Sequence, residues 1–400
     1  MNKADSIESL ESLNSHLSDK TLSKVCVLTT DQDFTLANSI CLRLGAPLSP
    51  MKVDYFSNGE ARPVINPSVH GKKVFLISTI SPSCRADLTN LVNLTNLTSS
   101  NDKKDPEKSI NDYLIGVMLT IGALRRAGAK EVTLILPSYP YARQDKKDEP
   151  HAAISASHVA KLLAVSGITR LICLDLHAAA IQGFFPEEIP VDNLYAIAPV
   201  IEHVRTWVFT NSKYLKTPVV PVINGLAKSE VAVDRDPLDC FIAVSPDEGA
   251  FKRTRKYAES LQMPYLCLTK TRDYSRKNYV DESKTLIFGN TGELKNRWAI
   301  IFDDMCDTFG TIQAAAKKLV EAGALGVIVV VTHGILSGPA IERLNKTPEV
   351  VELICSDSLP QFKNKECSTK ISTFSIAPLL AEVIRRRLCK ESVSEIFYHT

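Results

Sequence analysis

The chain has 400 residues, enough for two or three domains, and its apolar, aromatic and charged fractions are those of a globular protein. Its 47 Lys and Arg against 45 Asp and Glu are interspersed and leave a formal charge of +2, so no long-range field suits nucleic acid or an anionic membrane, and any anion binding has to be local. The longest apolar run, Val327 to Val331, is too short to span a bilayer, the ten cysteines form no C-x-x-C pair, and Met1 to Lys20 is polar and acidic with no signal pattern, which predicts a cytoplasmic protein with free thiols, no nucleic-acid partner and no membrane partner.

Apolar strand-like runs recur along the chain at Val25 to Leu28, Val74 to Ile77, Val132 to Leu136, Leu171 to Leu174, Phe241 to Val244, Trp298 to Phe302 and Val327 to Val331. Helical spacing separates some of them. Leu114, Val117, Met118, Ile121 and Leu124 mark one helix ending at Gly128, and Ile312, Ala315, Ala316, Leu319 and Val320 mark another ending at Gly323. This alternation predicts an α/β fold in which parallel sheets are flanked by helices. The two helix–Gly–strand units around Leu124 and Lys318 share a grammar, so the chain reads as two related halves. Polar or mixed stretches at about 85–109 and 204–236 break that grammar and are expected as surface insertions.

The first chemical segment is F-S-N-G-E, Phe56 to Glu60. On its own it is an Asn-Gly turn; as a site it offers a ring for stacking and two polar edges, which suit an adenine. Beyond the strand at Val132 comes Y-A-R-Q-D-K-K, where Arg143 and Gln144 lead a basic cluster. In an α/β sheet ligands gather at the carboxyl ends of strands, so the cluster is placed to meet a polyanion, although a solvated loop has the same composition. Then D-L-H-A-A-A follows the strand at Leu171. His177 can ligate a divalent metal or touch a phosphate, with Asp175 beside it.

After the strand at Phe241 the chain reads V-S-P-D-E-G-A-F-K-R-T-R. Asp247 is a metal candidate or, equally, an N-cap for the helix that carries Lys252, Arg253 and Arg255. In L-C-L-T-K-T-R-D the alternating Lys270 and Arg272 point the same way if the segment is extended, so two cations can converge on one transferring group. The strand at Trp298 runs into F-D-D-M-C-D-T-F-G-T. Asp303 and Asp304 can bond vicinal sugar hydroxyls, and Asp307, Thr308, Phe309, Gly310 and Thr311 form a turn, before a helix expected to open at Ile312, whose backbone N–H groups and hydroxyls suit a terminal phosphate.

In this order the segments resemble the ribose-phosphate pyrophosphokinase (phosphoribosyl pyrophosphate synthetase) family of the phosphate-activated class, from about Val25 to the closing E-S-V-S-E-I-F at Glu391 to Phe397. The resemblance implies two phosphoribosyltransferase-like domains, at 23–195 and 196–380, after a polar extension at 1–22, with 381–400 packing back on the first domain. It implies transfer of the diphosphoryl group of ATP to the C1 hydroxyl of ribose 5-phosphate, with Mg2+ required. It assigns Lys270 and Arg272 to catalysis on a mobile loop, and Phe56, Asn58, Glu60, Arg143, Gln144 and His177 to ATP. Asp303, Asp304 and the stretch Asp307 to Thr311 go to ribose 5-phosphate, and His177, Asp247 and Asp175 to the metal. Self-association into dimers and hexamers is also implied, the Phe56 loop reaching a neighbouring subunit.

Departures from the family pattern include His70, His151 and Ser157 at usually basic positions, and the bulky Phe309 inside the phosphate loop. A non-catalytic associated subunit of the same family is the alternative, against which the retained Lys270-Thr271-Arg272 argues. A phosphoribosyltransferase would not need the Arg143 and Phe56 segments, and no G-x-x-x-x-G-K-[ST] segment supports a P-loop kinase.

Overall fold

The structure, a computed structural model, describes residues 18–31, 33–80, 108–147, 149–211, 236–270 and 285–398. These fall into two compact units. The first takes the described residues up to Ala196 together with Asp357–Phe362 and the described residues from Ser375; the second takes those of Ile197–Ser356 and Lys363–Phe374.

In the first unit, strands β1 (Val25–Thr29), β4 (Lys73–Ile77), β5 (Glu131–Ile135), β6 (Arg170–Leu174) and β7 (Val191–Leu194) form one parallel sheet in that order. Strands β2 (Met51–Tyr55) and β3 (Ala61–Ile65) make a separate antiparallel hairpin. β1, β4, β5 and β6 are buried at every position after the first, which is why their sequences are continuous apolar runs rather than alternating ones. The helix Ile110–Arg126 starts with a capping box: Ser109 accepts from Asp112 N–H, and Asp112 accepts from Ser109 N–H at 2.7 Å. Its Leu114, Val117, Ile121 and Leu124 enter the core. The helix Ala377–Cys389 belongs to this unit and packs against Thr35–Leu44.

The second unit is a seven-stranded sheet in the order β10 (Thr285–Phe288), β9 (Tyr265–Lys270), β8 (Phe241–Ser245), β11 (Trp298–Cys306), β12 (Gly326–Gly334), β13 (Val350–Ser356), β14 (Ile371–Phe374). All its pairs are parallel except β9 with β10. β12, buried at all of its positions, opens at a glycine because a Cβ on Gly326 would lie 2.4 Å from the Trp298 ring. The helix Phe251–Leu261 is locked to β11 by Tyr257, whose ring stacks on Phe302 at 4.7 Å, and by Thr254, whose hydroxyl donates to the Phe302 carbonyl at 3.3 Å.

The α/β expectation holds, and each anticipated strand is present with small extensions. The stretch from Val204 to Thr210 is not a surface excursion: it completes the helix Ile197–Thr210 and buries Val204, Trp207 and Val208. The rest of that insertion and most of the one at about 85–109 lie outside the described residues.

Phe302 is fully buried and directly precedes the acidic pair. Phe302→Ala leaves a cavity under Tyr257 and should cost about 3–5 kcal/mol, read as a lowered denaturant midpoint, whereas Phe302→Leu should lose less than half of that.

Candidate active site

β11 runs four residues further than the apolar pattern suggested, so Asp303 and Asp304 sit inside the strand, alongside β12, rather than after it. Asp304 is buried, with one carboxylate oxygen 3.5 Å from the Arg253 guanidinium. Asp303 keeps part of its surface in solvent and accepts a 2.8 Å hydrogen bond from Asp304 N–H. Its carboxyl is pushed well above the usual carboxylate range, first by burial, then by the neighbouring Asp304 charge and hydrogen bond, then by Asp247. The pair is therefore unequal. Asp303 takes up a proton more readily than an ordinary carboxyl, while Asp304 sits against a cation as an acceptor, and a vicinal diol offers partners for both.

Asp247 follows β8 and is partly exposed. One of its oxygens accepts from Ala250 N–H at 3.0 Å, so it caps the turn that enters the helix Phe251–Leu261, and its own carbonyl accepts from the Ser245 hydroxyl at 2.6 Å. The N-cap of the helix is Ala250, without a side-chain cap, so Asp247 caps the preceding turn and not, as expected, the helix itself.

The phosphate-loop candidate runs from Asp307 to Thr311. The helix opens at Gly310, two residues before the expected Ile312, because Phe309 takes a left-handed backbone (φ +65°) and turns the chain. Such a backbone costs about 1–2 kcal/mol for a side-chain-bearing residue. Phe309 is 2% exposed and joins the core of this unit, and burying a ring of that size is worth about 1.5–3 kcal/mol, which offsets the strain. The bulky residue thus points into the core and leaves the loop's backbone to face outward. Among the described residues, the N–H groups of Thr308 and Gly310 have no acceptor. Asp307 is fixed by the next loop: Ser337 donates to it from its hydroxyl and, at 3.1 Å, from its N–H to the Asp307 carbonyl.

Lys270 is the last residue of β9, opposite Thr285 on β10; its side chain and the whole of Arg272 lie outside the described residues.

In the first unit, Arg143 and Gln144 stand exposed in the turn beyond β5, which is pinned where Gln144 N–H meets the Tyr141 carbonyl at 3.0 Å and Ala156 N–H meets the Gln144 carbonyl at 3.2 Å. Beyond β6, His177 is exposed while Asp175 is buried with a positive φ of +43° and accepts from Ala196 N–H at 3.2 Å. Asp192 is held by Arg170 at 3.0 Å and by Arg387 at 2.5 Å, a structural task. Phe56, Asn58 and Glu60 form the β2–β3 turn: Asn58 accepts from Glu60 N–H at 3.2 Å, Gly59 supplies a φ of +89°, and Phe56 stands half out of the protein with the Arg62 guanidinium 5.3 Å from its ring centre. No group of three or more His, Cys, Asp or Glu among the described residues is arranged to hold a metal by itself. The carboxylate of Asp247, partly exposed beyond β8, is the oxygen donor type that Mg2+ takes alongside water and phosphate oxygens.

Residues 25–167 match the N-terminal domain of ribose phosphate pyrophosphokinase, and residues 278–398 match the phosphoribosyl synthetase-associated domain. The chain is 34% identical to ribose-phosphate pyrophosphokinase A of Dictyostelium discoideum over 377 residues, 94% of this chain and 99% of that protein. It belongs to the ribose-phosphate pyrophosphokinase family. The crystal structure of phosphoribosylpyrophosphate synthetase from Mycobacterium smegmatis superimposes with a TM-score of 0.69 at 30% identity, covering 92% of this chain and 99% of that one. Each sheet with its helices is accordingly a phosphoribosyltransferase-like domain, and a pyrophosphokinase-family enzyme, rather than a non-catalytic associated subunit, is what these relationships support.

Sequence reasoning placed Arg253 on a helix but did not pair it with Asp304, since the two are joined only by packing across β8 and β11. Ser337 was missed as well; its S-G-P context carries no signal for a partner thirty residues upstream.

Asp304→Asn removes a charge that holds the Asp303 proton, so the Asp303 titration should move down towards its ordinary value, read by carboxyl 13C shifts. Arg253→Gln takes the cation away from the buried Asp304 carboxylate and should cost about 3–5 kcal/mol of stability, read as a lowered denaturant midpoint.

Proposed function

We propose that this chain transfers the diphosphoryl group of ATP to the C1 hydroxyl of ribose 5-phosphate, giving 5-phosphoribosyl 1-diphosphate and AMP. The observation that carries the reading is the unequal acid pair on β11 followed at once by a loop with unsatisfied N–H groups, in a chain aligned end to end with pyrophosphokinases. In that reading the C1 oxygen attacks the β-phosphorus, the bond from that phosphorus to the oxygen shared with the α-phosphate breaks, and AMP leaves with the electron pair. Such a displacement needs alignment and charge neutralisation more than covalent help.

Asp304 accepts from one ribose hydroxyl and Asp303 engages its neighbour, while Asp307 to Thr311 receive the 5-phosphate. Lys270 and Arg272 neutralise the charge that builds on the transferring group. Phe56 stacks the adenine, with Asn58 and Glu60 at its polar edges, and Arg143, Gln144 and His177 take the nucleotide phosphates. The metal-bearing residues are His177 and Asp175 in the first unit and Asp247 in the second. Mg2+, when bound, draws charge from the phosphate oxygens. Domain limits at 23–195 and 196–380, a cytoplasmic location, and dimers assembling into hexamers belong to the same reading. The exposed Phe56 ring supports the last of these, since a half-solvated aromatic at a hairpin tip gains from a neighbouring subunit.

The purified chain with Mg2+ and ATP should release AMP only when ribose 5-phosphate is added. Lys270→Ala and Arg272→Ala should each lower kcat by about a thousandfold. AMP release only after mixing with a second family member would favour the associated-subunit alternative.

A further inference from the structure

We infer that Arg343 is a binding residue for the sugar 5-phosphate, supplying the positive charge that the Asp307–Thr311 loop lacks; the inference rests on the reading of that loop given above. The loop itself is an odd receptor for a dianion. It contains no lysine or arginine, and its one ionisable group, Asp307, carries the wrong sign. Backbone N–H groups offset part of a phosphate's charge, but beside a carboxylate they leave a net repulsion that a cation has to remove.

Arg343 lies on the short helix Ala340–Asn345, beyond β12 and far from the loop in sequence. Its guanidinium donates to the Thr308 carbonyl at 2.9 Å. The same nitrogen lies 3.2 Å from where a Cβ on Gly310 would stand. Gly310 does not have a left-handed backbone, so the turn alone does not demand glycine there. The space above it is what the guanidinium uses.

An arginine has five N–H donors in a rigid fork. One is spent on Thr308, and Arg343 has no carboxylate partner among the described residues; the adjacent Glu342 pairs instead with Lys346 at 2.5 Å. The carbonyl bond therefore tethers the fork at Thr308 with its bonded nitrogen against Gly310, the two residues whose N–H groups have no acceptor among the described residues. A planar fork next to bare N–H groups matches the oxygens of a phosphate monoester.

The test separates charge from anchoring. Glutamine at 343 can still donate to the Thr308 carbonyl but carries no charge, whereas lysine keeps the charge and loses the fork. With ribose 5-phosphate as titrant in calorimetry, Arg343→Gln should bind about 10- to 100-fold more weakly than the unaltered chain, and Arg343→Lys should recover most of that loss. In turnover the loss should appear in KM for ribose 5-phosphate, with kcat and KM for ATP unmoved. Wild-type behaviour of Arg343→Gln overturns the inference, since anchoring is then sufficient, and equal losses in the Gln and Lys variants overturn it as well, since the charge at this position then contributes nothing. If the unaltered chain binds ribose 5-phosphate yet releases no AMP, the proposed reaction fails while the binding comparison still decides Arg343. If it does not bind the sugar phosphate at all, both fall.

Discussion

Two neighbouring carboxylates on a largely buried strand repel each other and lose their hydration, and the second unit is arranged to make that tolerable. The Arg253 guanidinium meets Asp304, and burial together with the Asp304 charge pushes the Asp303 carboxyl well above the usual carboxylate range. An unpaired charge at so buried a position would cost several kcal/mol, so the helix that brings Arg253 has to be held firmly. Tyr257 stacking on Phe302 and Thr254 bonding the Phe302 carbonyl hold it there, both from that one helix onto the strand that carries the acids. The charge pattern of the acid pair and the packing of the core are therefore one problem with one solution.

The loop proposed to take the 5-phosphate, Asp307 to Thr311, follows from the same scaffold. β11 ends at Cys306, whose carbonyl accepts from Ile335 and Leu336, while Asp307 is taken by Ser337. The loop is thus bound to the connection after β12 before it reaches its helix. Phe309 completes the arrangement by placing its ring in the core while its backbone turns left-handed, so apolar burial offsets conformational strain and the exposed side of the loop is backbone. An anion site of this kind depends little on which side chains the loop carries and strongly on what holds it.

Much of this was legible in the order of residues. β1, β4, β5, β6, β8, β11 and β12 are covered on both faces, which demands unbroken apolar runs, and such runs are visible without a structure. β13 escaped notice for a physical reason. Its Glu352 looks unsuited to a strand, yet it accepts from the Trp207 ring N–H at 2.9 Å and from the Ser372 hydroxyl at 2.7 Å, partners far away in sequence. The hairpin of β2 and β3 is polar on one side and was read only as its turn, because the ion pair of Asp54 with Arg62 is a cross-strand contact.

By itself the sequence determined the α/β alternation, the acids and small residues after the strand at Trp298, and the ordered motifs that mark the family, since these depend on local periodicity and on residue types at fixed spacing. The tertiary structure alone decided that the acids lie within the strand, that Arg253 faces Asp304, and that Ser337 and Arg343 bond the loop at Asp307 and Thr308. Those contacts join segments separated by tens of residues, and only the packing of helices and loops around the sheet selects which distant side chain meets which charge.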